Sequence, residues 1–288
     1  EERFGLAALE AVDEVDLLVA PDLMWTLKKS AGFRTEKDVE VVQQAMVNQC
    51  ERMKTRFAIL DLPDPSDHRR ASQWRLLFDS GYAAFYFPWI QVDTPDGERR
   101  LVPPSGHVAG IYAKCDRQEG VFRAPANEEL KGVVDLARNL FDTDVGQLNA
   151  EGVNCLKSFP RRGIRVWGAR TVSSDSQWRY VNVRRIVNAV INSVEQGLQW
   201  AVFEANSPIL WKTLERQVSG FLRDLWTKGF FRGETPEEAF YVKCDDETNP
   251  KETRDAGMRQ RFGRRRRPPG GQQQRRRCLP GQQRRHGR

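Results

Sequence analysis

Two periodicities alternate along the first ninety residues, and this alternation constrains the fold more than any other feature of the chain. Apolar runs at 15–20 and 57–62 each stop at a proline, as buried strands do, and a third run follows at 83–92. Apolar residues spaced by three and four positions indicate helices at 35–53 and 67–79. The order strand, helix, strand, helix, strand predicts a layered α/β domain with a largely parallel sheet.

The second half of the chain predicts a smaller α+β domain. Its elements are a strand at 164–172, a helix at 183–196, a strand at 199–204, a helix that begins at Pro208 and ends at Gly229, and a strand at 240–244.

Start signals support two of the predicted helices. Thr35 is a capping residue with Asp38 three positions later. Ser207 precedes Pro208, and proline is tolerated at the first helical position because its missing N–H has no helical partner there. These signals place the helix starts at 35 and 207.

The sequence predicts two distinct faces for the helix that begins at Pro208. One carries the apolar residues expected in the core: Leu210, Leu214, Val218, Phe221, Leu222 and Leu225. The other carries charged residues, which we treat as candidates for contact with another protein: Lys212, Glu215, Arg216 and Arg223.

Charge divides the chain further. We assign an α/β domain to 1–150, an α+β domain to 151–258 and a disordered tail to 259–288, where twelve arginines stand among Gln, Gly and Pro without one acidic residue. The formal charge of +7 comes from this tail, since residues before it include 34 basic and 39 acidic side chains. The folded body is therefore not expected to bind nucleic acid.

The sequence contains no motif for catalysis, a cofactor or a metal. The three histidines belong to no hydrolase, zinc-protease or nucleotide-binding pattern, and the five cysteines form no C-x-x-C pair. The longest nearly unbroken apolar run, 82–90, is too short to cross a bilayer. We expect a non-enzymatic protein that has no cofactor, no metal and no membrane contact and is made in a reducing cytosol.

Two short segments allow a chemical alternative. Ser105-Gly106-His107 contains a hydroxyl and an imidazole, and a helix start is the simpler interpretation. Asp61, Asp64 and Asp67 follow a predicted strand, where α/β folds bind ligands, but interleaved prolines favour a solvated loop.

Arginine and tryptophan concentrate between residues 161 and 185. Aromatic and arginine side chains are enriched at protein interfaces, so this cluster is a candidate subunit interface. A phosphate-binding patch and a solvated ion-pair network are the alternatives. The candidate residues are Arg165, Trp167, Arg170, Trp178, Arg179, Arg184 and Arg185.

Four long blocks resemble one known family. They are LVPPSGHVAGIYAKCDRQEGVFRAPAN at 101–127, NCLKSFPRRGIRVWGARTVSSDSQWRYVNVRR at 154–185, LQWAVFEAN at 198–206, and the segment at 210–250 that begins LWKTLERQVSGFLRDLW. In this order they resemble the contractile tail sheath proteins of phage tails, R-type pyocins and extracellular contractile injection systems.

The resemblance implies a structural subunit and not an enzyme. Such subunits stack as hexameric rings around an inner tube protein, assemble from a baseplate in the bacterial cytoplasm, and drive the tube through a target envelope when they contract. The product is a virion tail or a phage-like injection particle. Terminal arms add strands to a sheet of a neighbouring subunit, which would here contain 164–171, 199–204 and 240–244.

The sequence departs from the family at three places. Arg161 stands where relatives carry glycine in a P-G-R-G turn. A donor arm is expected before residue 1, and apolar strands are expected after Gly257, where this chain continues into arginine-rich sequence. We interpret that tail as the product of a shifted reading frame, and we expect a chain without both arms to stay monomeric or to aggregate. A tail that binds nucleic acid is the alternative function, and an α/β enzyme comes third.

Overall fold

The computed structural model describes residues 4–24, 35–63 and 67–251. The chain forms two compact units, Glu1–Ala189 and Val190–Arg288. The arginine-rich tail predicted at 259–288 and Asp64 lie outside the described residues.

Unit 1 is built around a five-stranded sheet of order β1-β2-β3-β7-β8. The first four strands are parallel and β8 is antiparallel to β7. This confirms the largely parallel α/β domain. The strands are β1 (Leu17–Val19), β2 (Phe57–Leu60), β3 (Ala83–Phe87), β7 (Val153–Phe159) and β8 (Gly163–Trp167).

Helices cover both faces of this sheet. Those of unit 1 are α1 (Glu36–Met53), α2 (His68–Arg75), α3 (Ser105–Gln118) and α4 (Asp142–Ala150). α1, α2 and α4 pack on one face, and α3 packs on the other. α5 (Val181–Gly197) begins in unit 1 and ends in unit 2.

Strand β3 shows why the sheet is buried on both sides. Ala83, Phe85 and Phe87 join the core under α1, α2 and α4, whereas Ala84 and Tyr86 join the core under α3. Successive side chains of a strand point to opposite faces, so a strand covered on both sides must be apolar throughout. The unbroken apolar runs of the sequence have this cause.

The third predicted strand, 83–92, is two strands in the structure. Pro88 separates β3 from β4 (Ile90–Asp93), and its missing N–H cannot continue a ladder. β4 is the centre of a second, antiparallel sheet of order β5-β4-β6, with β5 at Arg99–Val102 and β6 at Val133–Leu136.

The predicted boundary at residue 150 falls inside unit 1. β7 pairs with β3 from Phe85↔Val153 onwards, so the sheet continues past this position. The helix starts were placed correctly: Thr35 and Asp38 form a reciprocal capping box, and the Ser207 hydroxyl accepts a hydrogen bond from the Leu210 N–H.

Among residues 190–251, unit 2 contains helices and irregular segments but no strand. It contains a 3-10 helix at Gln199–Phe203, α6 (Pro208–Thr227) and α7 (Pro236–Ala239). Its small core includes Leu198, Trp211, Leu214 and Cys244.

The strands predicted at 199–204 and 240–244 are wrong. A short apolar run is compatible with either helix or strand, and a strand forms only beside another strand. Residues 190–251 contain no such partner.

Candidate subunit interface

The β7–β8 hairpin places Trp167 at the surface. Ile164 and Val166 point into the core, so the alternation of β8 leaves Trp167 37% exposed. Its ring lies 4.8 Å from that of Phe159, and the cations of Lys157 and Arg162 stand 5.3 and 5.4 Å from the Phe159 centroid. Sequence reasoning identified Trp167 but missed this cluster, because cross-strand neighbours depend on the register of the hairpin.

Arg165 ties the hairpin to a neighbouring segment. Its guanidinium donates to the carbonyl oxygens of Arg162 at 2.9 Å and Asn127 at 2.6 Å. The Val166 N–H donates to the Glu128 carbonyl at 3.0 Å, and the Leu130 N–H donates to the Ile164 carbonyl at 2.9 Å. The outer edge of β8 is thus occupied by 127–130 of the same chain, contrary to the expected role of 164–171 in receiving an arm.

The hairpin turn contains Arg161 in the left-handed region, with a φ of 61°. Pro160 precedes it, and the Arg162 N–H donates to the Phe159 carbonyl at 3.1 Å. Proline at the second position and a positive φ at the third are the features of a type II turn, which favours glycine at the third position. The geometry fits the glycine that the resemblance to the sheath family implies at this position.

Arg184 lies inside unit 1, only 6% exposed. Its guanidinium carbon is 3.3 Å from the Trp178 ring centroid and 4.1 Å from that of Tyr82, and it donates to the Tyr82 hydroxyl at 3.0 Å. Burial lowers the pKa of Arg184. Trp178 is therefore a partner of Arg184 within the chain.

Arg185 is equally buried and forms a bidentate ion pair with Asp116 at 2.7 and 2.5 Å. Burial lowers the pKa of Arg185, but Asp116 outweighs burial, so its pKa is raised overall. The prediction that Arg184 and Arg185 face another subunit does not fit this geometry, because both guanidiniums are used inside the unit. Their partners Tyr82 and Asp116 are far away in sequence and were missed.

Arg170 and Arg179 take different positions. Arg170 is half-buried, and its backbone N–H and C=O are both bonded to the Asn154 side chain at 2.7 Å. Arg179 is exposed. Of the seven candidates, Trp167 and Arg179 are exposed, and Arg165, Arg170 and Trp178 are half-buried.

The charged face of α6 is directed away from the core of unit 2. Trp211, Leu214 and Leu222 are buried, whereas Lys212, Arg216 and Arg223 are exposed. Glu215 is half-buried and pairs with Lys212 at 2.7 Å. Phe221, predicted in the core, is half-buried.

Ser105-Gly106-His107 begins α3, as expected, whereas the prediction of a solvated loop is wrong for Asp61, which follows β2 and is buried. Asp61 is 2% exposed and accepts hydrogen bonds from the N–H of Ser105 at 3.0 Å and from its hydroxyl. Burial raises the pKa of Asp61 to about 7 and lowers that of the half-buried His107. Asp67 caps α2 through the Arg69 N–H.

The Ser105 hydroxyl is therefore bonded to a buried carboxyl at the start of α3. In the part of the chain that the structure describes, no three Cys, His, Asp or Glu side chains are grouped to hold a metal ion. No helix there is long and apolar enough to span a bilayer.

Family models match nearly the whole described chain. The model for the phage tail sheath protein central domain matches residues 6–172, and the model for the phage tail sheath C-terminal domain matches 173–256. The chain belongs to the phage tail sheath family. The boundary between the two models differs both from the predicted division at 150 and from the division of the units at Ala189.

Curated sheath proteins are similar in sequence. The putative prophage major tail sheath protein of Pseudomonas aeruginosa (strain UCBPP-PA14) is 30% identical over 197 residues, covering 66% of this chain and 50% of that protein. The tail sheath protein of Escherichia phage P2 is 24% identical over 227 residues, covering 76% of this chain and 55% of that protein. This sheath chain thus spans about half the length of these relatives.

Solved contractile machines contain the same fold. A chain of the anti-feeding prophage baseplate superposes with a TM-score of 0.73 at 30% identity, covering 86% of this chain and 64% of that one. A chain of the PVC extracellular contractile injection system sheath in its contracted state gives 0.72 at 32% identity, covering 86% and 66%. The family's proteins are structural sheath proteins.

Proposed function

We propose that this chain is a structural subunit of a contractile tail sheath, which polymerises around an inner tube and contracts to drive the tube through a target envelope. The observation that carries the proposal is the match to the contracted PVC sheath over 86% of the chain at 32% identity. The chain matches the models of both sheath domains. This supports a shared role in assembly more strongly than a similar fold would by itself.

The partners follow from the same likeness. The sheath chain associates with copies of itself in stacked hexameric rings, with the inner tube protein and with a baseplate. A solved relative belongs to a six-fold symmetrised baseplate, and another to a helical sheath in the contracted state. Assembly takes place in the bacterial cytoplasm, and the product is a virion tail or a phage-like injection particle.

Contraction of this kind is not enzymatic. The free energy resides in contacts between subunits that rearrange from one lattice to another, so no nucleotide, cofactor or metal is consumed. The buried Asp61 and Ser105 have a structural role in this proposal, because their hydrogen bonds fix α3 on the sheet.

A thermal-shift screen of the chain with ATP, NAD and zinc tests the absence of ligands. We expect no dose-dependent change in the melting temperature. A rise of several degrees would contradict a purely structural role.

Two surfaces are the candidate contacts of the subunit. Trp167, with Arg165, Arg170 and Arg179 nearby in sequence, is the candidate contact with a neighbouring subunit. The charged face of α6 is the candidate contact with the tube or a neighbour. The first surface carries the exposed Trp167 and Arg179 and the second the exposed Arg216 and Arg223, and tryptophan and arginine are enriched at interfaces.

A chimera tests the function, because the chain spans about half of its curated relatives. Residues 6–256 replace the matching part of the Pseudomonas aeruginosa sheath protein, and negative-stain microscopy follows tube formation. We expect helical tubes, as from the unaltered relative. A chimera that folds, as judged by circular dichroism and a cooperative melt, but never forms tubes would refute the proposal.

A further inference from the structure

The β7–β8 hairpin of unit 1 carries an excess of positive charge, although one of its cations, Lys157, is paired with Asp142. Residues 152–174 contain five basic and no acidic side chains, a formal charge of +5. We call the part formed by Arg161, Arg162, Arg165 and Trp167 the hairpin surface. Arg161 and Arg162 are exposed, and Trp167 adds an exposed aromatic ring.

Two arginines of the hairpin surface, Arg162 and Arg165, are bonded to neutral oxygens. Arg162 donates to the Asn127 side-chain oxygen at 2.9 Å, and Arg165 donates to the Asn127 carbonyl at 2.6 Å. Within residues 4–24, 35–63 and 67–251, none of the three arginines forms an ion pair. Two acidic side chains border the surface: Glu129, whose carboxylate lies beside Gly163, and Glu128, which is paired with Lys114 and Arg123.

Unit 2 carries the opposite charge in one segment. Residues 234–247, the acidic segment, contain six acidic side chains and one lysine, a formal charge of −5. Glu237 and Glu238 are exposed on α7, and Tyr241 is 58% exposed. Lys243 pairs with Asp245 and Glu247, so the α7 end of the segment retains the larger share of uncompensated charge.

We propose that the hairpin surface of one copy of this chain binds the acidic segment of a second copy. The three arginines of the hairpin surface and the excess of acidic side chains in the acidic segment are opposite in charge, and each surface contributes an exposed aromatic ring to the contact. Electrostatic complementarity of this kind fixes the register of an interface and excludes wrong pairings. The inference rests on the proposed function and names one of its contacts.

The symmetry of this contact agrees with a sheath. Two different surfaces meet in each contact. When two copies bind, one copy still has a free acidic segment and the other a free hairpin surface, so further copies can be added. Contacts of this heterologous type build closed rings or open helices and not isolated two-fold dimers. A sheath needs this geometry.

Charge reversal in the full chain tests the contact. The first variant carries Arg161→Glu and Arg162→Glu, and the second carries Glu237→Lys and Glu238→Lys. In either variant alone, the hairpin surface and the acidic segment carry charges of the same sign at the changed residues. In an equimolar mixture, the changed surface of one variant meets the changed surface of the other, and the two unchanged surfaces meet, so opposite charges are restored in both contacts. Arg99→Glu with Arg100→Glu, two adjacent exposed arginines on β5, is the matched control.

Sedimentation velocity at about 50 mM and about 500 mM NaCl measures self-association, because surface charges are screened over this range. In place of the monomer expected from the missing arms, this contact predicts weak, salt-sensitive association of the wild type and the control without tubes. We expect at least about tenfold weaker association of each reversed variant, and recovery in the mixture. Circular dichroism and melting confirm that the variants fold.

Three results would overturn the contact: a wild type that does not associate at low salt, reversed variants that associate normally, or a mixture no better than its components. Duplex DNA that binds the wild type but not the Arg161 and Arg162 variant, without self-association, would assign the hairpin surface to nucleic acid instead. If the chimera described above forms tubes with these reversals in place, the contact is refuted while the sheath function stands.

Discussion

Asp61 caps helix α3 from a strand that lies 44 residues earlier in the chain: its carboxyl accepts the Ser105 N–H at 3.0 Å and also bonds the Ser105 hydroxyl. The helix has no cap of its own, since its N-cap residue is Pro104, which makes no side-chain bond. The free N–H groups of the first turn therefore take their partner from the end of β2. The long-range cap fixes α3 on the sheet.

The first prediction concerns the pH dependence of stability at this cap. Burial raises the pKa of Asp61 from 3.8 to about 7, so the folded state holds a proton that the unfolded state releases. Its stabilising effect is complete below pH 3.8 and is lost as the pH rises towards 7, at up to about 1.4 kcal/mol per pH unit.

Asp61→Asn keeps a neutral side chain at every pH and removes this loss. We expect the variant to gain stability relative to the wild type between pH 5 and 7, with no further gain above about pH 7.5, in urea titrations at each pH. The lowered pKa of His107 acts on both proteins and cancels in the difference. A difference that stays constant from pH 5 to 8 would show that Asp61 is ionised throughout.

The second prediction concerns the hairpin turn. Arg161 has a φ of 61°, which costs a residue with a side chain roughly 1–2 kcal/mol, while glycine loses about 0.4–1 kcal/mol more backbone entropy on folding. Arg161→Gly should therefore stabilise unit 1 by about 0.5–1 kcal/mol in urea unfolding. Arg162→Gly is the control and should destabilise it, because it removes the bond to Asn127. Equal losses from both changes would argue against the type II turn.

The third prediction concerns the buried ion pair of Arg185 and Asp116. Asp116→Asn leaves the guanidinium, whose side chain is 7% exposed, without its counter-charge and should cost about 2–4 kcal/mol. Glu10→Gln breaks the pair with Arg52, which is 60% exposed, and should cost less than about 1 kcal/mol. Similar costs for the two changes in denaturant melts would mean that Arg185 is solvated.

The fourth prediction concerns the core of unit 2. Leu214 is 3% exposed against Leu198 and Trp211, so Leu214→Ala should cost about 2–4 kcal/mol. Ile209 lies on the same helix and is 82% exposed, so Ile209→Ala should be neutral. A neutral Leu214→Ala would mean that this face of α6 is not buried. Phe221→Ala should fall between the two, because its ring is half-buried.

Local signals in the sequence account for most of unit 1. The capping box of Thr35 and Asp38 and the all-apolar β3 depend on neighbours within a few residues, and the structure contains both. Contacts across the chain were not accessible: nothing near Arg185 indicates Asp116, and nothing near Asp61 indicates Ser105. For this reason the sequence did not indicate that two interface candidates, Arg184 and Arg185, are buried and bonded within unit 1.

Unit 2 shows a second limit, which is the dependence of strands on partners. The segment at 199–204 is a short apolar run and the segment at 240–244 has apolar alternation, but either becomes a strand only when another chain segment supplies the ladder. In the structure the first is a 3-10 helix and the second has no regular structure. The spacing of apolar residues does not indicate whether a neighbouring strand is present to form hydrogen bonds with the segment.

The last prediction separates folding from assembly on the charged face of α6. Lys212, Arg216 and Arg223 recur at spacings of four and seven, so they share one face, and all three are exposed. Exposed pairs such as Lys212 with Glu215 contribute little to stability. Changing the three residues to glutamate should therefore leave the melting temperature of the chain within about 3 °C of the wild type.

The same triple change should prevent tube formation in the chimera if this face contacts the tube or a neighbour. Changing Lys212 to arginine and Arg216 and Arg223 to lysine keeps the charge and is the matched control, which should form tubes. Charge reversal at a contact costs several kcal/mol per unfavourable pair, enough to abolish assembly built from many weak contacts. Normal tubes from the glutamate variant, with an unchanged melt, would show that this face of α6 only meets solvent.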